Sequence, residues 1–411
     1  MIALARLLAA LLLLLTGASA VEAAPAKGRT TLLISIDGFR ADYFDRGITP
    51  TLKALADDGV HAKAMHPSFP SLTFPNHYTL VTGLRPDEHG IVSNTMEAPD
   101  IPGVTFKLGN RDAVTDRRWW DESEPLWVSA RKQGIHASTM FWPGSEAPIK
   151  GLYADDWKPY LKSMPAEERV DTVLGWLDRP KAQRPRFVTL YFEKVDVAGH
   201  DQGPDSPEVN HAIEGVDASL ARLVAGLKAR GLYDQIDVVV VSDHGMAYTP
   251  ADHRIFLDDW ISPDHVRPIS METIAGLEAT PGHEAEVQKA VVGVHPHITC
   301  YNRADIPARL RYGRNPRVAP IVCIPEAGWQ LTTHEANAKR KHVSLGEHGY
   351  DPASPTMNAL FVAHGPDFRK GVTLEPFDNV DVYPLLAKLT GIRPHRNDGR
   401  LADLAPALKT H

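Results

Sequence analysis

Two cysteines in 411 residues are too few for a disulfide-built scaffold, and neither stands in a zinc-ligand spacing. Basic residues are not in excess: 44 Lys and Arg against 51 Asp and Glu leave a net charge of −7, which argues against a nucleic-acid scaffold. Long apolar runs are missing too. The one candidate, LLAALLLLL after Arg6, is shorter than a bilayer requires, so no stable membrane span is expected. Repeats and low-complexity tracts are absent, and with 43% apolar and 23% charged residues the chain can bury a large core.

The short apolar run has another use. A basic residue before it and Ala18-Ser19-Ala20 after it fit a cleavable secretory signal over residues 1–20, giving an exported protein, periplasmic or secreted. An uncleaved anchor is the alternative. No cysteine follows the run, so no lipid anchor is expected. Export would also permit a Cys300–Cys323 bridge, with two buried free thiols as the alternative.

Beyond residue 25, strand-like apolar runs alternate with helical ones. They occur at 30–37, 135–142, 186–196, 236–245 and 357–365. Several are apolar almost throughout, as strands covered on both faces are. Between the third and fourth, Val216, Leu220, Leu223, Val224 and Leu227 share a helical face, and Gly231 supplies a stop. The expectation is an α/β fold: a central, mostly parallel sheet with helices on both faces. Residues 250–345, with shorter strand candidates at 295–302 and 319–330, read as a smaller inserted subdomain within a catalytic domain over 25–405.

Three runs lead into acidic residues, Asp37, Asp196 and Asp243. In an open parallel sheet the carboxyl ends of the strands line the ligand crevice, so these carboxylates should converge. Each alone would pass as a turn residue. His200 lies four residues after Asp196, His244 follows Asp243, and His348 stands in GEHGYD. Carboxylate oxygens mixed with imidazole nitrogens suit zinc or a similar divalent ion. Six such ligands exceed the three of one catalytic zinc but fit two ions, which can stabilise both the attacking and leaving oxygens at phosphorus.

Such a centre needs a nucleophile, and PSFPSLTFPNHYT offers Ser68, Ser71, Thr73 and Thr79. Spacing does not select among them. Thr73 has the strongest local case, because prolines constrain the backbone on both sides of it. Beside it, Phe74 can donate a backbone N–H, which a proline could not.

The ordered segments LLISIDGFR, PSFPSLTFPNHYTLVTGLRPDEHGIVSN, WWDESEPLWVSARKQGIHASTMFWPGSEAPI, LYFEKVDVAGHDQGP, VVVVSDHGM and GEHGYDPASPTMNALFVAHGP cover nearly the whole mature chain. Together they resemble the nucleotide pyrophosphatase/phosphodiesterase family of the alkaline phosphatase superfamily. The resemblance implies two Zn2+, one held by Asp196, His200 and His348, the other by Asp37, Thr73, Asp243 and His244. It implies Thr73 as a nucleophile that becomes covalently nucleotidylated, and Phe74 N–H and Asn94 as donors to a non-bridging phosphoryl oxygen. It further implies base stacking on Phe74 and Tyr191, with Phe106, Trp142 and Tyr153 in the core or at the rim.

A sulfatase would carry Cys/Ser-x-Pro-x-Arg where this chain has LTFPN, and no arginine stands beside Thr73 to favour a phosphate monoester. These absences favour a diester, and the resemblance implies that it is a nucleotide diester or phosphoanhydride, released as a nucleoside 5′-monophosphate. A choline phospholipid or glycerophosphodiester substrate is the alternative within the family; a catalytically silent zinc-dependent binding protein is the alternative outside it.

Overall fold

The computed structural model describes residues 28–410. The expected signal at 1–20 lies outside them.

Eight strands form the main sheet: β1 (Thr31–Ile36), β2 (Val60–Ala62), β3 (Ala137–Met140), β4 (Asp156–Trp157), β5 (Phe187–Phe192), β6 (Asp237–Val241), β7 (Phe361–His364) and β8 (Val372–Leu374). They run in the order β8-β2-β7-β6-β1-β5-β3-β4. The block from β6 to β4 is parallel, while β7 is antiparallel to both β6 and β2. The sheet is thus mixed and mostly parallel.

β1 lies at the middle of this sheet and is buried along its whole length. Successive strand residues face opposite sides, so Leu33 joins one core and Leu32 and Ile34 join another. On the first side Leu80 and Val81 of α2 (Thr73–Thr82) and Leu385 and Leu386 of α6 (Val382–Thr390) cover the sheet. The second side is covered by Leu52 of α1 (Pro50–Asp57), Val170 and Val173 of α3 (Ala166–Leu177), and Val216, Leu220 and Leu223 of α5 (Pro207–Ala229). That double cover explains the apolar runs: with no solvent face, the strands have no need of alternation.

Boundaries differ from the sequence expectation in three places. The run at 186–196 is strand only to Phe192; from Lys194 the chain forms α4 (Lys194–Gln202). Asp196 therefore lies in a helical first turn rather than at a strand end, where its negative charge suits the positive end of the helix. The run at 295–302 is a hairpin, Gly293–His295 paired with Ile298–Asn302, with His297 at φ +63° between them. The run at 319–330 divides into Ile321–Pro325 and Gln330–Thr332, which belong to different sheets.

Residues 266–325 supply a separate antiparallel five-stranded sheet, with Val287 and Val291 of the helix Glu284–Val291 packed into its core. Cys300 and Cys323 are directly opposed on adjacent strands of that sheet and form a disulfide. Closing a loop of 23 residues restricts the unfolded chain, an effect of about 3 kcal/mol in the chain-entropy picture. Cys300→Ala with Cys323→Ala should lower the thermal midpoint accordingly; calorimetry showing an unchanged midpoint would assign the bridge no part in stability.

Candidate metal centre

The site forms at the carboxyl ends of the central strands. Asp37 directly follows β1 and Asp243 stands two residues beyond β6; both side chains are buried. α4 adds Asp196 and, one turn later, His200 on the same face, since residues four apart are helical neighbours. His244 adjoins Asp243, and His348 arrives from the long return toward β7; both are buried.

The three histidines are oriented alike. Each donates Nδ1–H to a backbone carbonyl: His244 to Gly245 at 2.9 Å, His200 to Gly346 at 2.8 Å and His348 to Ser71 at 2.9 Å. This fixes the tautomer and leaves the Nε2 lone pair directed inward, the usual arrangement around a metal-binding imidazole. His244 Nε2 lies 2.9 Å from Asp243 Oδ2 and 3.5 Å from Asp37 Oδ1. Asp196 Oδ1 lies 3.5 Å from His200 Nε2 and 3.6 Å from His348 Nε2.

One buried oxygen of each aspartate, Asp37 Oδ1, Asp196 Oδ1 and Asp243 Oδ2, has no hydrogen-bond partner. Buried carboxylate oxygens are rarely left so, because desolvation without compensation is costly. Their ligand atoms form two groups suited to a cation, Asp37–Asp243–His244 and Asp196–His244–His348. The donor chemistry and the unpartnered oxygens therefore fit divalent metal.

The six expected ligands are thus brought together, but their partition differs in detail. His244 is a member of both compact groups, with its ring stacked 3.5 Å from His348. His200 approaches Asp196 without joining either group, and its ring is 5.0 Å from that of His348.

The electrostatics follow from this crowding. Burial, and then the charges of Asp243 and Asp196, push the Asp37 carboxyl well above the usual range. Burial opposes ionisation of Asp243 as well, but His244 and His77 outweigh it and hold that carboxyl low. Burial and the adjacent His244 and His200 depress His348, favouring the neutral ligand form.

Thr73 opens α2, and its Oγ1 lies 3.2 Å from His244 Nε2. The first N–H groups of a helix have no intrahelical acceptor, and Pro75 has no N–H at all. Phe74 N–H is therefore available, and here it donates to Asn94 Oδ1 at 2.9 Å. The two expected phosphoryl donors are paired with one another. Tyr191 likewise has a defined role: its hydroxyl donates to Asp37 Oδ2 at 2.5 Å and its ring meets His77 edge-on. With 9% of its surface exposed, it offers little ring face for stacking. The exposed aromatic nearby is Tyr160, 37% exposed, with its ring centre 6.2 Å from that of Tyr191. Phe106 and Trp142 are buried core, and Tyr153 stacks on Trp157.

Sequence reasoning passed over His77. Its Nδ1 donates to Thr73 O at 2.9 Å and lies 3.3 Å from Asp243 Oδ2, while its Nε2 is 2.8 Å from Ser35 Oγ. One ring thus ties α2 to β1 and to the strand end bearing Asp243. Its spacing four residues after Thr73 was the available signal. Glu347, buried beside His200 at 3.5 Å, also escaped notice, although it adjoins His348 in sequence.

A mostly parallel α/β sheet with an Asp/His centre and a threonine at a helix N-terminus defines a hydrolase class that works on phosphate esters. Residues 31–351 match the family described as type I phosphodiesterase / nucleotide pyrophosphatase. The chain belongs to that family and is an enzyme of the pyrophosphatase/phosphodiesterase kind.

An uncharacterised pyrophosphatase/phosphodiesterase of Schizosaccharomyces pombe is 37% identical over 388 residues, 92% of this chain and 80% of that protein. Human ectonucleotide pyrophosphatase/phosphodiesterase family member 1 is 35% identical over 390 residues, 92% of this chain but 42% of that protein. The chain thus spans less than half the length of that relative. Among solved structures, human family member 5 superposes with a TM-score of 0.88 at 33% identity, covering 93% of this chain and 100% of the other. Murine family member 5 has the same score at 34% identity and the same coverage, and its structure is of an inactive threonine-to-alanine variant in complex with AMP.

Stripping the protein with a chelator should lower its thermal midpoint, because the unpartnered carboxylates lose their counter-charge. A free ion at one hundred times its Kd should restore about 2.7 kcal/mol. Identical calorimetric midpoints with and without divalent ion would remove the metal from this centre.

Proposed function

We propose that this chain is a two-zinc nucleotide phosphodiesterase and pyrophosphatase that releases nucleoside 5′-monophosphates through a covalent Thr73 intermediate. Asp196, His200 and His348 would hold one zinc and Asp37, Asp243 and His244 the other, with Thr73 at the second. The observation that carries the reading is the position of Thr73: a hydroxyl at the N-terminus of α2, within 3.2 Å of the Asp/His centre. The AMP bound to murine family member 5, and the inactivity of its threonine variant, support the same assignment.

Zinc, when bound, lowers the pKa of a coordinated hydroxyl and offsets negative charge on phosphoryl oxygens. Thr73 Oγ attacks phosphorus, forming one P–O bond as the bond to the leaving oxygen breaks. The phosphoryl group lies at the α2 N-terminus, where oriented N–H groups favour anions. Phe74 N–H, exchanging its bond to Asn94 Oδ1 for the phosphoryl group, and the Asn94 NH2 group serve a non-bridging oxygen. Tyr191, held by burial in its protonated form, orients Asp37. Phe74 and the exposed Tyr160 are the aromatics suited to a nucleobase. Water then displaces Thr73, and two displacements retain configuration at phosphorus.

The proposal extends to organisation: a signal at 1–20, export to the periplasm or beyond, and a catalytic domain over 25–405 interrupted by a subdomain at about 250–345. No described helix is long and apolar enough to cross a membrane.

Thr73→Ala should reduce kcat on the order of 10³-fold or more while its zinc content per chain stays equal to that of the wild type; turnover close to wild type would place the nucleophile elsewhere. A kcat/KM series should rank ATP and a dinucleoside polyphosphate above glycerophosphocholine and a nitrophenyl monoester. A clear preference for glycerophosphocholine would replace the nucleotide with a lipid head group as substrate.

A further inference from the structure

A second group of metal-ligating side chains lies on the five-stranded sheet, outside the Asp/His centre. His265 ends the short turn Pro263–His265 and leads into the strand Val266–Ser270. His283 immediately precedes the helix Glu284–Val291, and Glu286 lies in that helix's first turn. Candidate ligand atoms of His265, His283 and Glu286 all lie within 4.8 Å of one another.

The backbone around them is fixed. Thr280 N–H donates to His265 O at 2.9 Å, and His283 N–H donates to Thr280 O at 3.0 Å, so one threonine links the two histidine-bearing segments. Thr280 Oγ1 adds a bond to Asp264 O at 3.0 Å. The helix is anchored by buried Val287 and Val291. Glu286, three residues after His283, is therefore held on the same side as that imidazole.

Within this frame the two imidazoles stack with centres 3.6 Å apart and planes 14° apart. Both Nδ1 atoms approach the same carboxylate oxygen, Glu286 Oε2, at 2.9 Å from His265 and 3.4 Å from His283. His265 Nδ1 is shielded from solvent, yet despite its proximity it makes no aligned hydrogen bond. The catalytic centre provides an internal comparison, because His244 and His348 stack at 3.5 Å and 12° beside their carboxylates.

We propose that His265, His283 and Glu286 form an additional transition-metal site that clamps the helix Glu284–Val291 to the strand Val266–Ser270. Two imidazole nitrogens and one carboxylate oxygen suit Zn2+ and the other borderline divalent ions, with water completing the coordination. Glu284 is not a ligand, since its carboxylate accepts the Gly282 N–H. Its charge and that of Glu286 offset the positive end of the helix, which otherwise disfavours a cation. None of the three ligands belongs to the catalytic machinery, so the ion would act on the stability of this sheet and not on turnover.

The test is Zn2+ stoichiometry and thermal midpoint on the full-length chain, compared between wild type, His265→Ala/His283→Ala and Glu286→Gln. Reading the difference between proteins makes the outcome independent of how many ions the catalytic centre takes. The expected result is one Zn2+ fewer per chain in the double variant, weakened Zn2+ binding in Glu286→Gln, and unchanged kcat at catalytic-site saturation in both. Zn2+ added beyond that saturation should raise the wild-type midpoint and leave the double variant's unmoved. Equal Zn2+ content and an equal Zn2+-dependent midpoint shift in all three proteins would overturn the proposal. Should the double variant fail to fold, Glu286→Gln decides alone: wild-type Zn2+ content and midpoint shift there overturn it.

Discussion

Three carboxylates forced to share a buried volume are the constraint around which the rest is arranged. Asp37, Asp196 and Asp243 each direct an unpartnered oxygen into the same region, an arrangement that favours a counter-charge or a proton. The surrounding groups answer it in a consistent way. Backbone carbonyls take the Nδ1 protons of three histidines, Tyr191 donates to the far oxygen of Asp37, and Gly38 N–H donates to the far oxygen of Asp243 at 3.2 Å. These contacts engage the outward atoms and leave the inward ones for metal.

The sheet makes such crowding affordable. β1 is flanked on both sides by parallel neighbours and covered above and below by apolar cores, so packing holds its end rigidly in place. Ligands placed just beyond β1 and β6 inherit that rigidity, and preorganised groups need no reorganisation when charge develops. α2 is tied into the same frame through His77, which contacts Ser35, Thr73 and Asp243. The helix that carries Thr73 and the Asp/His centre are therefore joined through one imidazole.

Much of this was legible in the chain. Continuous apolar runs mark the covered strands, and the Asp and His residues singled out near the run ends are the ones the fold gathers into one cluster. The four-residue interval from Asp196 to His200 is visible in the chain, but its helical setting is not, since LYFEKVD reads as β-like throughout and the strand ends at Phe192. What stayed hidden depended on direction rather than identity. Sequence spacing does not reveal that Tyr191 turns its hydroxyl to Asp37, that Phe74 N–H meets Asn94, or that His244 lies between both ligand groups. The same limit applied to His265 and His283, which are separated by a hairpin and become neighbours only when Thr280 closes it.

The ligands also have an order in time. Asp37 lies near the start of the described residues and His348 far along them, with the whole five-stranded sheet and five of the eight strands of the main sheet in between. The group Asp37–Asp243–His244 is complete once the chain reaches His244, whereas Asp196–His244–His348 waits for the return that brings His348. The two halves of the centre thus differ in how much of the chain each needs before its three ligand atoms can meet.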